Sequence, residues 1–233
     1  MTTTIPHKAR IGPYLLVGMA GRAGAGKDTC AAILASAHAC ATLAFADAVR
    51  AELAKAFGVD VRLFTDRRLK ESPTLELALK RCADLTFVDL VMAAGIGMTY
   101  EKAISPRTAM RLWGTEYRRT HCGGDYWLSR AHERIEVLHR EGWRRIVITD
   151  VRFLNEAKFV QMIGGEVWRI RRQLSDQVDA AHQSEMQVES ISPNRTLHND
   201  STVSALVHDA LQAFNDAVAP RLREDDHAEA PHP

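Results

Sequence analysis

Residues 21–29, Gly-Arg-Ala-Gly-Ala-Gly-Lys-Asp-Thr, constrain this chain more than any other segment. They follow a short apolar run, YLLVGMA (14–20), that reads as a buried strand, and a helix is predicted from about Asp28 to Ala39. A phosphate chain needs backbone N–H groups turned inward, glycines that permit the curvature, and a helix N-terminus behind them. Gly24 and Gly26 supply the curvature, and Lys27 is placed to reach the β- and γ-phosphates of a nucleotide. The strict form of this pattern has Ser or Thr directly after the lysine. Here Asp28 stands there and Thr29 follows, so the hydroxyl that usually meets Mg²⁺ is one position late. An ordinary glycine-rich strand-to-helix turn is the bland alternative. Strand, three glycines, lysine and helix together favour phosphate binding.

The chain is 233 residues long, enough for one large domain with insertions and no need of disulfide or metal staples. Thirty basic against twenty-nine acidic residues leave a net charge of +1, so there is no global basic field for nucleic acid. Cys30, Cys40, Cys82 and Cys122 are scattered without a CxxC pair, and no charged-then-apolar leader is seen. The longest charge-free stretch, 29–46, is interrupted by Ser36, His38 and Thr42 and is too weak for a membrane span. The expectation is a soluble, cytoplasmic protein.

Short apolar runs alternate with helical patterns. Thr42 to Phe45 reads as a second strand, with Asp47 capping a helix that runs to Phe57. Ser105-Pro106 opens a helix whose Met110, Trp113 and Tyr117 share one face. Asp125 opens another, with Leu128, Ala131, Ile135 and Leu138 inward. Arg145 to Thr149 is a β-branched strand ending at Asp150, and Glu166 to Ile170 is a further strand. Val203, Leu206, Val207, Ala210, Leu211 and Phe214 mark a last helix. This alternation predicts an α/β fold, a parallel sheet with helices on both faces. We place a flexible start at 1–12, one domain over 13–220 and a flexible tail at 221–233.

Several polar residues are candidates beyond the loop. Ligands gather beyond the carboxyl ends of parallel strands, which brings Asp150 towards the loop, with Arg152 two residues on. A helix cap or structural ion pair is the alternative for Asp150. Arg107, Arg111 and Arg118 recur at i, i+4 and i+11, and guanidinium groups suit phosphate contacts. A solvated charged face is the plainer account of Arg118 and Arg119. Arg169, Arg171 and Arg172 precede a polar stretch, which reads either as a lid over a triphosphate or as a surface loop. His182 has no second ligand at metal spacing and reads as structural, and the cysteines read as buried or inert thiols.

Taken in order, these segments resemble the bacteriophage deoxynucleoside monophosphate kinases of the P-loop kinase superfamily. The resemblance rests on GxxGxGKDT, FADAVR (45–50), SPRxxMRxxGTE (105–116), DYW (125–127) and TDVRFLNEA (149–157). It continues through WRIRR, HQSE (182–185) and HNDST (198–202), covering about Leu15 to Phe214. It implies the P-loop NTPase fold, with a helical monophosphate-binding region at about 47–125 and a lid at about 171–190. It also implies transfer of the γ-phosphoryl of ATP, with Mg²⁺, to a deoxynucleoside 5′-monophosphate for DNA precursor synthesis. Gly24, Gly26, Lys27, Asp28, Thr29 and Asn199 would then bind ATP. Arg50, Arg107, Gly114, Thr115, Trp127 and Arg152 would line or adjoin the monophosphate site. Lys27, Arg107, Asp150 and Arg171 would act in catalysis, and Thr29 or Asp150 would meet the metal through water. Arg111 stands where the family often has glutamine, and Ser201 where it commonly has glycine. The implied partners are small nucleotides, with no nucleic acid or membrane; a homodimer is compatible, and a phage origin would mean host cytoplasm. Competing readings are another small-molecule P-loop kinase, acting on a nucleoside or coenzyme precursor, and a nucleotide-driven DNA-processing ATPase, which the charge balance disfavours.

Overall fold

In a computed structural model, which describes residues 14–173 and 188–228, the apolar runs assemble into a five-stranded parallel sheet ordered β2-β3-β1-β4-β5. Strand β1 (Leu15–Ala20) is central and leads through the glycine-rich loop into helix α1 (Lys27–His38). Strand β2 (Ala41–Leu43) leads into α2 (Phe45–Phe57). The helix starts at Phe45, so Asp47 lies in its first turn rather than capping it, where its charge still complements the helix dipole.

Residues 45–130 form one compact unit, and the described residues on either side form the other. The second unit contains α2, the single turn α3 (Arg62–Thr65), α4 (Leu85–Ala93) and α5 (Pro106–Arg111). Ser105 caps α5 as its sequence predicts, its side chain accepting from the Thr108 N–H with Pro106 in the first turn. The chain then widens into a π-helical segment over Leu112–Arg119, followed by the short α6 (Thr120–Cys122). Helix α7 (Tyr126–Arg140) begins in this unit and continues into the first. The core of residues 45–130 gathers Leu53, Phe57, Phe87, Leu112, Trp113 and Trp127.

The first unit is completed by β3 (Arg145–Val151), α8 (Leu154–Met162), β4 (Glu166–Arg171), β5 (Arg195–His198) and α9 (Val203–Ala228). On one face of β1, Leu15, Val17 and Met19 pack with Cys30 and Leu34 of α1 and with Leu206, Ala210 and Phe214 of α9. The other face meets α8: a Cβ on Gly18 would lie 2.8 Å from Val151 and 3.2 Å from Val160. Both faces are therefore covered, the condition under which an all-parallel sheet is stable. Strand, glycine-rich loop and helix on this parallel sheet make up the P-loop NTPase fold. The inward positions expected on α7, Leu128, Ala131, Ile135 and Leu138, are all buried. Helix α9 does not stop at residue 220 but runs through Pro220 to Ala228, beyond the domain boundary its apolar periodicity suggests. No helix among the described residues is long and apolar enough to cross a membrane.

Candidate functional site

The glycine-rich loop leaves the carboxyl end of the central strand and turns on residues that a side chain would obstruct. A Cβ on Gly21 would sit 2.4 Å from the Ile170 carbonyl oxygen of β4. Gly26 has φ 108° and precedes α1 as its N-cap, with no side chain capping the helix. The amide end of α1 thus has no side-chain cap, a geometry that suits an anion, and Asp28 and Thr29 stand exposed on its first turn. Lys27 is 9% exposed, and its ammonium donates to the carbonyls of Gly21 (2.6 Å) and Arg22 (2.8 Å). The lysine is folded over the loop that would hold the phosphates.

Strands on either side of β1 bring further candidates to the same edge. Gly18 pairs with Ile148 and Ala20 with Val151, so Thr149 and Asp150 together oppose Met19. Asp150 therefore lies within β3 at a bulge, not past the strand's end as its sequence suggests. Such irregularities re-aim side chains and recur beside active sites. Arg152 follows, its N–H donating to Glu156 Oε2 (2.8 Å), and the Phe153 N–H donates to the same oxygen (3.1 Å). Glu156 is 2% exposed and fixes the turn after Asp150 by capping α8. On the other side Arg171 ends β4, and its carbonyl accepts from the Asn199 N–H (2.8 Å). The Asn199 side chain donates to the Ala25 carbonyl inside the glycine-rich loop (2.9 Å). Asp200 accepts from the Gln173 N–H (2.6 Å). Lys27, Asp150, Arg171 and Asn199 thus share one sheet edge. The expected lid, with His182 and Glu185, falls mostly outside the described residues.

Residues 45–130 carry a second group. Arg50 on α2 pairs with Asp47 (2.6 Å), and Arg107 in the first turn of α5 pairs with Glu71 while its N–H donates to the Lys70 carbonyl (3.0 Å). Gly114 and Thr115 lie in the π-helical segment, Thr115 exposed and Gly114 buried. Trp127 is 2% exposed and its indole N–H donates to the Gly114 carbonyl (2.9 Å), so it supports this segment from within. Arg111 forms an exposed pair with Glu116 (2.9 Å).

Arg118 is not on a solvated charged face. Its guanidinium lies within cation–π distance of Tyr117 (4.4 Å), Trp113 (5.1 Å) and Tyr126 (5.4 Å) and bonds to Glu52 (2.8 Å). Burial opposes its charge, but the bond to Glu52 outweighs this and raises its affinity for the proton. Burial, followed by the same carboxylate, pushes the Tyr126 hydroxyl up to about 12. No local pattern singles out Glu52, whose partners lie more than sixty residues away. Glu156 does carry a legible signal, a carboxylate three residues beyond the start of a helix.

Burial also pushes the Cys30 and Cys40 thiols up to about 12 and Cys82 to about 11, consistent with inert cysteines. Among the described residues no cluster of three or more His, Cys, Asp or Glu is arranged to hold a metal on its own.

No family model matches the chain. A protein of Acanthamoeba polyphaga mimivirus named "Putative deoxynucleotide monophosphate kinase" is 26% identical over 215 residues, covering 87% of this chain and 97% of the viral protein. Among solved structures, dephospho-CoA kinase from Campylobacter jejuni aligns at 12% identity and a TM-score of 0.48, covering 88% of this chain and 98% of its own. A sugar kinase from Janibacter sp. aligns at 14% identity and a TM-score of 0.43, covering 90% and 98%.

Proposed function

We propose that this chain is an ATP-dependent kinase that transfers the γ-phosphoryl group to a deoxynucleoside 5′-monophosphate, giving the diphosphate and ADP. The observation that supports the reading is that Asp150, Arg171 and Asn199 lie at the carboxyl ends of strands in the sheet whose central strand leads through the glycine-rich loop to Lys27 and an α1 N-terminus with no side-chain cap. Its order of motifs resembles the phage enzymes, and the mimivirus relative matches along nearly its whole length.

Phosphoryl transfer asks little covalent chemistry of a protein; it asks for alignment and positive charge on the moving group. In this scheme the loop amides of Gly24 and Gly26 and the first turn of α1 hold the donor phosphates. Lys27 exchanges the carbonyls of Gly21 and Arg22 for phosphate oxygens. Arg171 adds charge on the transferring group. Arg50 and Arg107, held by Asp47 and Glu71 before substrate arrives, pass to the acceptor phosphate. Magnesium would reach the site with ATP. Thr29 or Asp150 would hold the metal through water, with phosphate oxygens as its main ligands, and the metal would neutralise charge on the phosphates.

A coupled ADP-release assay tests the reading, with ATP, Mg²⁺ and each of dTMP, dGMP, dCMP, dAMP and the ribonucleotides. Turnover that depends on a deoxynucleoside monophosphate is expected. Hydrolysis indifferent to every acceptor, or turnover only with a nucleoside or coenzyme precursor, would overturn the acceptor assignment.

A further inference from the structure

Glu52 accepts three charge-assisted hydrogen bonds from two segments, the π-helical one and the start of α7. Its Oε2 accepts from the Trp113 indole N–H (2.8 Å) and from Arg118 Nε (2.8 Å), and its Oε1 accepts from the Tyr126 hydroxyl (2.5 Å). The carboxylate and the guanidinium are both about one-fifth exposed, so the pair is shielded but not sealed from water. Arg118 lies near the rings of Trp113, Tyr117 and Tyr126, which surround its planar group. Tyr117 in turn donates to Asp84 (3.0 Å), the residue that caps α4.

Each anchor of this cluster adjoins a residue that the resemblance places in or beside the monophosphate site. Glu52 is two residues after Arg50 on α2, Trp113 immediately precedes Gly114, and Tyr126 immediately precedes Trp127. Gly114 itself packs against α2, where a Cβ would lie 3.7 Å from the Val49 side chain. The segment so held is the π-helical one. This wider helical form is rare and is frequent at functional sites.

We infer that Glu52, through Arg118, Trp113 and Tyr126, is a positioning residue for the acceptor monophosphate: it locks the π-helical segment against α2 through buried Gly114, so that Arg50 and Thr115 present a fixed surface. The inference rests on the kinase reading above. Glu52 does not touch substrate in this scheme. Its loss loosens acceptor binding and leaves the nucleotide loop, in the other unit, unchanged.

Initial rates for Glu52→Ala, Glu52→Gln and Tyr126→Phe, with the best wild-type acceptor, separate the possibilities. Amide exchange over residues 112–119 is followed in parallel. We expect Glu52→Ala to raise the acceptor KM by at least tenfold with the ATP KM within twofold of wild type. Glu52→Gln, which keeps two accepting contacts, should recover part of that loss. Tyr126→Phe removes one hydroxyl with little risk to folding and should raise the acceptor KM about threefold, with faster exchange in 112–119. An unchanged acceptor KM in Tyr126→Phe or in folded Glu52→Ala would overturn the inference. So would an ATP KM that rises in step with it, the mark of a general structural role. Wild-type protein that turns over no monophosphate would instead overturn the kinase reading, a result independent of the variants.

Discussion

Asn199 and Ala25 are 174 residues apart in sequence and joined by a 2.9 Å hydrogen bond from the asparagine side chain to the loop carbonyl. The same asparagine binds the Arg171 carbonyl through its backbone N–H. One residue therefore ties the glycine-rich loop to the end of β4. A neutral hydrogen bond of this kind contributes about 0.5–1.5 kcal/mol. Asn199→Ala is expected to weaken ATP binding by roughly two- to tenfold, read as KM for ATP or by titration calorimetry. Asn199→Asp should be worse, because it sets a carboxylate against a carbonyl oxygen. Unchanged ATP affinity in both variants would remove Asn199 from the nucleotide site.

Lys27 donates to two carbonyls of its own loop and would move from them to phosphate. Lys27→Ala should lower turnover on the order of 10²–10³-fold, as for loss of other groups that stabilise transition-state charge. Because the ammonium also bridges the loop in the absence of nucleotide, the variant's melting temperature should be measured beside its kcat. Near-normal turnover would remove Lys27 from the chemistry. Chelation of Mg²⁺ should abolish turnover in the wild type and be reversed by adding the metal back.

Cys30, Cys40 and Cys82 are buried, and Cys122 is exposed. Since the thiolate is the reactive form, a disulfide reagent at pH 8 should modify one thiol rapidly in native protein and all four after denaturation. Cys122→Ser should abolish the fast phase. Rapid modification of Cys30 or Cys40 would contradict the packing around the sheet, and that of Cys82 the core of residues 45–130.

The same burial sets a limit on stability in base. The Cys30 and Cys40 thiols shift from 9.0 to about 12 on folding, so between those values the folded chain binds more protons than the unfolded one. Stability from these groups is complete below about pH 9 and is lost as pH rises towards 12. Tyr126, raised from 10.0 to about 12, adds to the loss from pH 10. Urea midpoints should therefore hold steady from pH 7 to 8.5 and fall progressively above 9. Cys30→Ala should make the decline shallower.

Features fixed by near neighbours in the chain were legible as sequence. The glycine-rich loop, the Ser105-Pro106 helix start and the inward face of α7 each depend on residues within a few positions of one another, where backbone geometry imposes the pattern. Where two local signals compete, the reading drifts by a residue or two. Asp47 looks like a cap, yet the apolar Phe45 and Val49 are buried and pull the start of α2 forward. Asp150 looks like a strand end, yet a bulge carries β3 one residue further.

The sequence by itself determined that a strand feeds a glycine-rich loop and a helix, with charged candidates behind it, because steric and hydrogen-bonding rules act over a single turn. Only the tertiary structure decided which strands flank that loop, and that Asn199 braces Ala25. The same holds for Arg118, an ordinary surface charge by its spacing, which is held in place by Glu52 and three rings. The reason is physical: a glutamate or arginine is compatible with almost any exposed position. What selects one from the rest is a partner brought beside it by folding, from sixty to more than a hundred and seventy residues away.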